Sequence, residues 1–313
     1  MHPITPALRR SSLVCGALTS LLLPLGSRAD AQMLDDGLLI KRRELRTSVE
    51  LSRDQWNEYW EGGLRRTNEN IGTLTTQALT IGAIYGLGDR INVYATLPYV
   101  WTRASEGVLH EMQGRQDLTL AAKLGLARRT TSTGATVTVT ALAGIATPAS
   151  DYTPDFQPLS IGLGSRRALV RGAFHAQAPN GVFIDASAAY TWRATVHLDR
   201  ASYYTDGQLV QSDEVAMPDV FDHVTSVGIQ RGRLCLPIML VTQRTRGGGD
   251  IRRQDMPFVS NRMDFTRLGA RAMYTLPRAR GLILDLGASH TLSGRNVGRA
   301  TMVSVGLTSV LHP

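Results

Sequence analysis

From Tyr85 to Trp101 the chain reads YGLGDRINVYATLPYVW, and after the Gly-Leu-Gly-Asp turn apolar and polar residues alternate. Ile91, Val93, Ala95, Leu97, Tyr99 and Trp101 share one face; Arg90, Asn92, Tyr94, Thr96 and Thr102 share the other. Period two marks a strand whose two sides meet different surroundings. The apolar face ends in two aromatic residues away from the turn, while Tyr85 sits at the turn end of the incoming strand. Aromatic residues at both limits of an apolar band are what a bilayer asks of a barrel strand.

The same reading along the chain predicts twelve strands, near 44–56, 73–85, 90–102, 117–127, 135–145, 166–177, 182–193, 219–230, 234–244, 264–276, 282–290 and 301–311. The seventh repeats the motif of the third: Val182, Ile184, Ala186, Ala188, Tyr190 and Trp192 share a face that ends in Tyr-x-Trp away from the turn Ala178-Pro179-Asn180-Gly181. In the tenth, Leu268, Ala270, Ala272 and Tyr274 oppose Arg267, Gly269, Arg271 and Thr275. Charges at alternate positions of an otherwise apolar strand suit a watery lumen better than a soluble core. Pro237 removes a ladder hydrogen bond from the ninth strand. Short turns follow the even-numbered strands and longer polar loops the odd-numbered ones, except that the last of those, 293–298, is short. The expected fold is all-β: an antiparallel, up-and-down transmembrane barrel of about twelve strands, with both termini periplasmic and Tyr85, Tyr99, Trp101, Tyr190, Trp192 and Tyr274 at the membrane interfaces.

Composition agrees. Charged residues are 19% of the 313, and beyond residue 31 no apolar run approaches the ~18 residues a membrane helix needs. Residues 1–31 read as a cleaved secretory signal: Arg9 and Arg10, an apolar core over 11–25, then Ala29-Asp30-Ala31 before Gln32. Residues 32–43 read as a short periplasmic lead-in with no evident plug domain, and 44–313 as the barrel. Cleavage removes three Arg and one Asp, taking the net charge from +8 to +6. No basic block exceeds Lys41-Arg42-Arg43, so nucleic acid is not an expected partner. Cys235 is the sole mature cysteine, which excludes an intrachain disulfide.

The polar faces place Arg46, Arg90, Lys123, Arg167, Arg171, Arg193, Arg267 and Arg271 in the lumen against Glu50, Asp117, Asp185 and Asp285. Eight cations to four anions suit an anion-favouring pore; the other reading is a plugged interior in which Arg and Asp ladders satisfy each other. A barrel of this size permits either, and a partly filled lumen is preferred. For catalysis the best cluster is Ser289-His290 near Asp285, yet adjacent strand residues point to opposite faces, so the two cannot pair; His290 reads as a loop-end residue. Asp151 with Asp155, and Asp250 with Asp255, read as solvated loop acids, and Gly247-Gly248-Gly249 lacks the rest of a phosphate loop. No metal, cofactor or catalytic residue is expected.

The stretches TIGAIYGLGDRINVYATLPYVWTRASEG, QDLTLAAKLGLARR and PLSIGLGSRRALVRGAFHAQAPNGVFIDASAAYTWR resemble the family named Putative MetA-pathway of phenol degradation. The matching pieces are YGLxDR with LPY (85–99), DLTLxxKxxL (117–126) and IGLGS (161–165), which mark turns and strand starts rather than chemistry. The resemblance covers roughly 80–193 and implies an outer-membrane barrel with a transport or channel role for aromatic or other small hydrophobic compounds; it transfers no site residues. The ending LTSVLHP departs from a barrel's usual terminal aromatic. The expected function is passive passage of small molecules, hydrophobic compounds or their anions, by a monomer that the outer-membrane assembly machinery inserts into the bilayer. The alternatives are an occluded surface barrel that binds partners through loops 103–116, 147–164 and 194–217, and a lipid-modifying enzyme.

Overall fold

A strand that is apolar on one face only cannot end its sheet in lipid, because an open edge would leave N–H and C=O groups unpaired in hydrocarbon. Closure is the solution found in the computed structural model, which describes residues 35–108, 111–205, 207–252, 259–279 and 281–312. The predicted signal segment, His110, Asp255 and Pro313 lie outside the described residues. Twelve antiparallel strands form the wall: β1 (Leu45–Trp56), β2 (Leu74–Gly88), β3 (Ile91–Ala104), β4 (Asp117–Thr130), β5 (Thr136–Pro148), β6 (Arg167–Gln177), β7 (Val182–Arg193), β8 (Asp219–Arg231), β9 (Leu234–Arg246), β10 (Asp264–Thr275), β11 (Leu282–Arg295) and β12 (Thr301–Leu311). Each pairs with its sequence neighbours, and β1 closes the ring by pairing with both β2 and β12, Leu45 lying opposite Tyr85 and Leu311. At ~3.3 Å per residue the 11-residue strands span about 36 Å, enough to cross ~30 Å of hydrocarbon with some tilt.

The wall is inside out relative to a soluble protein. Ile81, Ile145, Ile238 and Val303 are 53–60% exposed on the outer face, while Arg46, Asn92, Lys123, His175 and Asp185 are buried within. Continuous apolar surface of this extent marks a contact with lipid. The Tyr-x-Trp motifs lie outward, with ring centroids 4.6 Å apart for Tyr99–Trp101 and 5.0 Å for Tyr190–Trp192.

Several strands run past their predicted ends, for two reasons. Bulges between Gly86 and Gly88 and between Gly125 and Ala127 interrupt the alternation without ending the ladder, so β2 reaches Gly88 and β4 reaches Thr130. β11 continues to Arg295 rather than His290, because beyond the apolar belt both faces meet water and no periodicity signals a strand. Pro237 interrupts the β9–β10 ladder, whose partners jump from Cys235–Met273 to Ile238–Ala270, while the β8–β9 ladder runs unbroken.

Short connections gather at one end, here the turn end. At the opposite, loop end, part of the predicted loop 103–116 is paired: Met112–Arg115 lies against β3. A two-stranded ribbon, Glu58–Glu61 with Leu64–Thr67, rises after β1. It reaches the short connection after β11, where the Trp60 amide donates to the Val297 carbonyl and Arg299 pairs with Glu58 at 2.8 Å.

Candidate functional site: the barrel interior

The described part of the predicted lead-in folds back into the turn end of the lumen. Lys123, 1% exposed on β4, donates from Nζ to the Asp36 carboxylate at 3.1 Å and to the Asp36 carbonyl at 2.9 Å. Asn92 on β3 grips the Ile40 backbone from both sides, accepting from its amide at 2.8 Å and donating to its carbonyl at 3.3 Å. Gly37 and Gly86 allow this approach: a Cβ on Gly37 would stand 2.7 Å from the His175 Cβ, and one on Gly86 would stand 2.0 Å from the Lys41 carbonyl oxygen. The described part of the lead-in thus reaches inside the wall rather than standing clear of it. The polar complementarity of Asp36 and Ile40 with inward residues of β3 and β4 has no periodic signature.

Further up the lumen the charges are paired. Arg171 meets Asp222 at 2.5 Å and Ser187 at 2.9 Å. Arg271 bridges Asp285 on the neighbouring strand and Glu50 on β1, at 2.5 and 2.6 Å. Arg267 lies 3.3 Å from Asp54, Arg46 2.6 Å from Glu44, and Arg167 2.6 Å from Asp117. The count of eight cations to four anions therefore needs correcting: it omitted Asp36, Glu44, Asp54 and Asp222. Arg90 also leaves the set; it lies exposed in the two-residue turn after β2, since the bulge carries the ladder past the predicted turn. Arg193 stays inward at the loop end, donating to the Pro218 carbonyl at 3.4 Å, and its buried Nε has no partner among the described residues.

Between the folded-back segment and β6–β10 lies a narrow hollow of about 40 Å³, lined by Asp36, Leu38, His175, Phe183, Asp185, Val224, Ser226, Cys235, Met239 and Met273 among others. Its polar corner is one network: His175 Nδ1 lies 2.7 Å from Asp185 Oδ1, and the Ser226 hydroxyl donates to Asp185 Oδ2 at 3.2 Å. Asp185 was among the predicted lumen residues; the others were not, and each carries only the weak signal of inward parity on its strand.

Loops close the other end. Leu159, from the connection after β5, is 1% exposed and packs on Ile71, Leu74, Trp56, Ala104 and Met112, and its carbonyl accepts from the Thr102 hydroxyl. Tyr152 donates to Asp117 at 2.6 Å; burial first, then that carboxylate, pushes its phenol well above the usual value. A second apolar cluster joins Val196, Leu198, Val215, Met217 and Val259. Asp250, hydrogen-bonded to Arg295 at 2.5 Å and to Asn296 at 2.8 Å, is held below the ordinary carboxylate value, chiefly by the Arg295 bond.

Ser289 and His290 do not form a nucleophile–base pair. Ser289 points inward and His290 outward, as alternation requires, and His290 sits within β11 rather than at a loop end, 2.8 Å from Thr301 across the ladder. Asp155 pairs with Arg200 at 2.7 Å. No group of three or more His, Cys, Asp or Glu residues is placed to hold a metal among the described residues.

A closed ring of twelve antiparallel strands, apolar and aromatic outside, polar and ion-paired inside, defines a transmembrane β-barrel of the outer-membrane type. Residues 66–216, a little under half of the chain, match the family model described as Putative MetA-pathway of phenol degradation. The fold is shared with an outer membrane channel from Pseudomonas putida F1: TM-score 0.68 at 14% identity, over 90% of this chain and all of that one. Weaker likenesses include the translocator domain of the autotransporter NalP from Neisseria meningitidis (TM-score 0.45, 13% identity, 85% and 88% of the two chains) and the CymD monoaromatic hydrocarbon channel (0.41, 11%, 88% and 90%). No curated protein matches in sequence.

Proposed function

We propose that this protein is a passive outer-membrane channel for small molecules of mixed or hydrophobic character, working as a monomer after removal of its signal segment. The observation that carries this reading is the hollow beside residues 35–44. It offers Leu38, Phe183, Val224, Met239 and Met273 as apolar wall, with the His175–Asp185–Ser226 network as one polar corner. Such lining is what small-molecule sites present. The ion-paired lumen argues against a strongly anion-selective pore, because six of the seven predicted cations that face inward, all but Arg193, already meet a carboxylate. The chain's likeness to the Pseudomonas putida F1 channel supports the same reading. By the rule for outer-membrane barrels, the turn end faces the periplasm and the loop end the outside.

The test is liposome swelling with uncharged aromatic and aliphatic solutes against carboxylates of equal size, alongside planar-bilayer conductance. Faster entry of the uncharged solutes, with small unselective ion currents, is expected. The occluded surface barrel remains the second reading because both mouths are covered, by residues 35–44 and by the Leu159 cluster. A folded barrel that passes no solute, even with residues 35–43 deleted, would decide for it.

A further inference from the structure

We infer that the lipid-facing wall of β1–β3, at the loop end, carries a docking site for the phosphate group of a glycolipid headgroup of the lipid A class; this rests on the reading that the loop end faces outside. In the barrel register Arg53, Gln77 and Trp101 lie side by side on adjacent strands, and Arg103 pairs with Thr75 one step further out. All share the outward parity of Val49, Leu51 and Ile81, which are 47–57% exposed in the apolar belt. Together with Leu51 and Glu111 these side chains line an open hollow of about 510 Å³. Arg53 and Arg103 are both exposed and, among the described residues, neither has an acidic partner within ion-pair reach.

The contrast with the interior carries the inference. Six lumen cations, Arg46, Lys123, Arg167, Arg171, Arg267 and Arg271, each have a carboxylate within 3.3 Å. The two arginines of this wall have none, and they stand level with Trp101, where the apolar belt gives way to headgroups. An arginine on the lipid face costs about 2–4 kcal/mol at the bilayer midplane but only about 0–1 near the interface, where anionic groups can pair with it. Two inter-strand spacings and one two-residue step put the Cα atoms of Arg53 and Arg103 roughly 12 Å apart, so both guanidiniums can converge above Thr75 and Gln77. Guanidinium forks match phosphate oxygens bidentately, and Thr75 and Gln77 add neutral donors. Glu111 stands on the rim and leaves the hollow with a net positive charge. Leu51 and Trp101 make its floor continuous with the belt below, which suits an acylated phosphate-bearing lipid better than a free anion.

The experiment titrates bisphosphorylated lipid A onto the full chain in detergent and reads binding by native mass spectrometry. Wild type is compared with Arg53→Gln, Arg103→Gln, the double variant, and Arg128→Gln at the exposed turn end as control. Barrel integrity is checked for each by its heat-dependent gel shift. The expected result is a loss of roughly tenfold in affinity per arginine, as for a charge-assisted hydrogen-bonded pair, with Arg128→Gln and wild type equal. Lipid A stripped of its phosphates should bind wild type as weakly as the intact lipid binds the double variant. Equal affinity of wild type and double variant overturns the proposal. So does binding of phosphatidylglycerol as tight as lipid A, or full displacement by inorganic phosphate, since either makes this a general anion surface. Orientation is read separately. Tyr204→Cys in a Cys235→Ser background should react with a membrane-impermeant maleimide on intact cells. Failure to react overturns the outward loop end and the leaflet assigned here, whereas reaction without arginine-dependent binding overturns the lipid site alone.

Discussion

At the turn end, residues 35–44 occupy the barrel mouth through hydrogen bonds and the buried ion pairs Lys123–Asp36 and Arg46–Glu44, whereas at the loop end several connections bury apolar side chains against one another. The difference is one of what water can replace. Opening the loop end exposes Leu159, Ile71 and Leu74, a loss that grows with apolar area and that solvent cannot compensate. Withdrawing residues 35–44 exposes Asp36, Lys123 and Asn92, whose bonds water can remake. A barrel that must open repeatedly is better gated by the second kind of contact. Of the two ends, the turn end is thus the one whose contacts water can replace.

The hardest test of that contrast is to delete residues 35–43. If the buried pair and hydrogen bonds of this segment are worth about 3 kcal/mol, the open population should rise on the order of a hundredfold, read as faster liposome swelling and steadier conductance. Unchanged passage would mean that the loop end limits flow. Next, Lys123→Met leaves the Asp36 carboxylate without its cation and should disfavour the closed segment by about 3 kcal/mol. Limited proteolysis should then cut within 35–43 while the barrel keeps its gel shift; persistent protection would show that Asn92 and the close glycine contacts suffice.

Leu159→Ala should loosen the loop end by about 2–3 kcal/mol. Faster amide exchange across 149–166, with residues 35–44 unaffected, would show that the two ends move independently; loosening at both would join them into one cooperative unit. The smallest expected effect is one of acidity. The Asp250 carboxyl is lowered in the folded protein, chiefly by its Arg295 hydrogen bond. Its contribution is thus present above the ordinary carboxylate range near about pH 4 and is lost as pH falls through the lowered value. Exchange around Asn296 should therefore quicken in acid, and Asp250→Asn should remove that dependence without touching the turn end.

The alternation of β3, β7 and β10 could be read residue by residue because lipid on one side and water on the other impose period two wherever the wall crosses the membrane. The same boundary condition made the Tyr-x-Trp pairs legible, and it excluded Ser289 with His290 as a catalytic pair before any coordinates. Where that condition lapses, so did the reading. The bulges after Gly86 and Gly125 and the outer reach of β11 carry no alternation. Charge pairing was the least legible. Arg271 meets Glu50 only because β12 returns to β1, and Lys123 meets Asp36 across 87 positions because the chain before β1 turns inward. Sequence by itself determined which residues face lipid and that the strands must close. Tertiary structure alone decided how the lumen is filled and what closes each end, because those contacts join residues whose proximity exists only once the ring is complete.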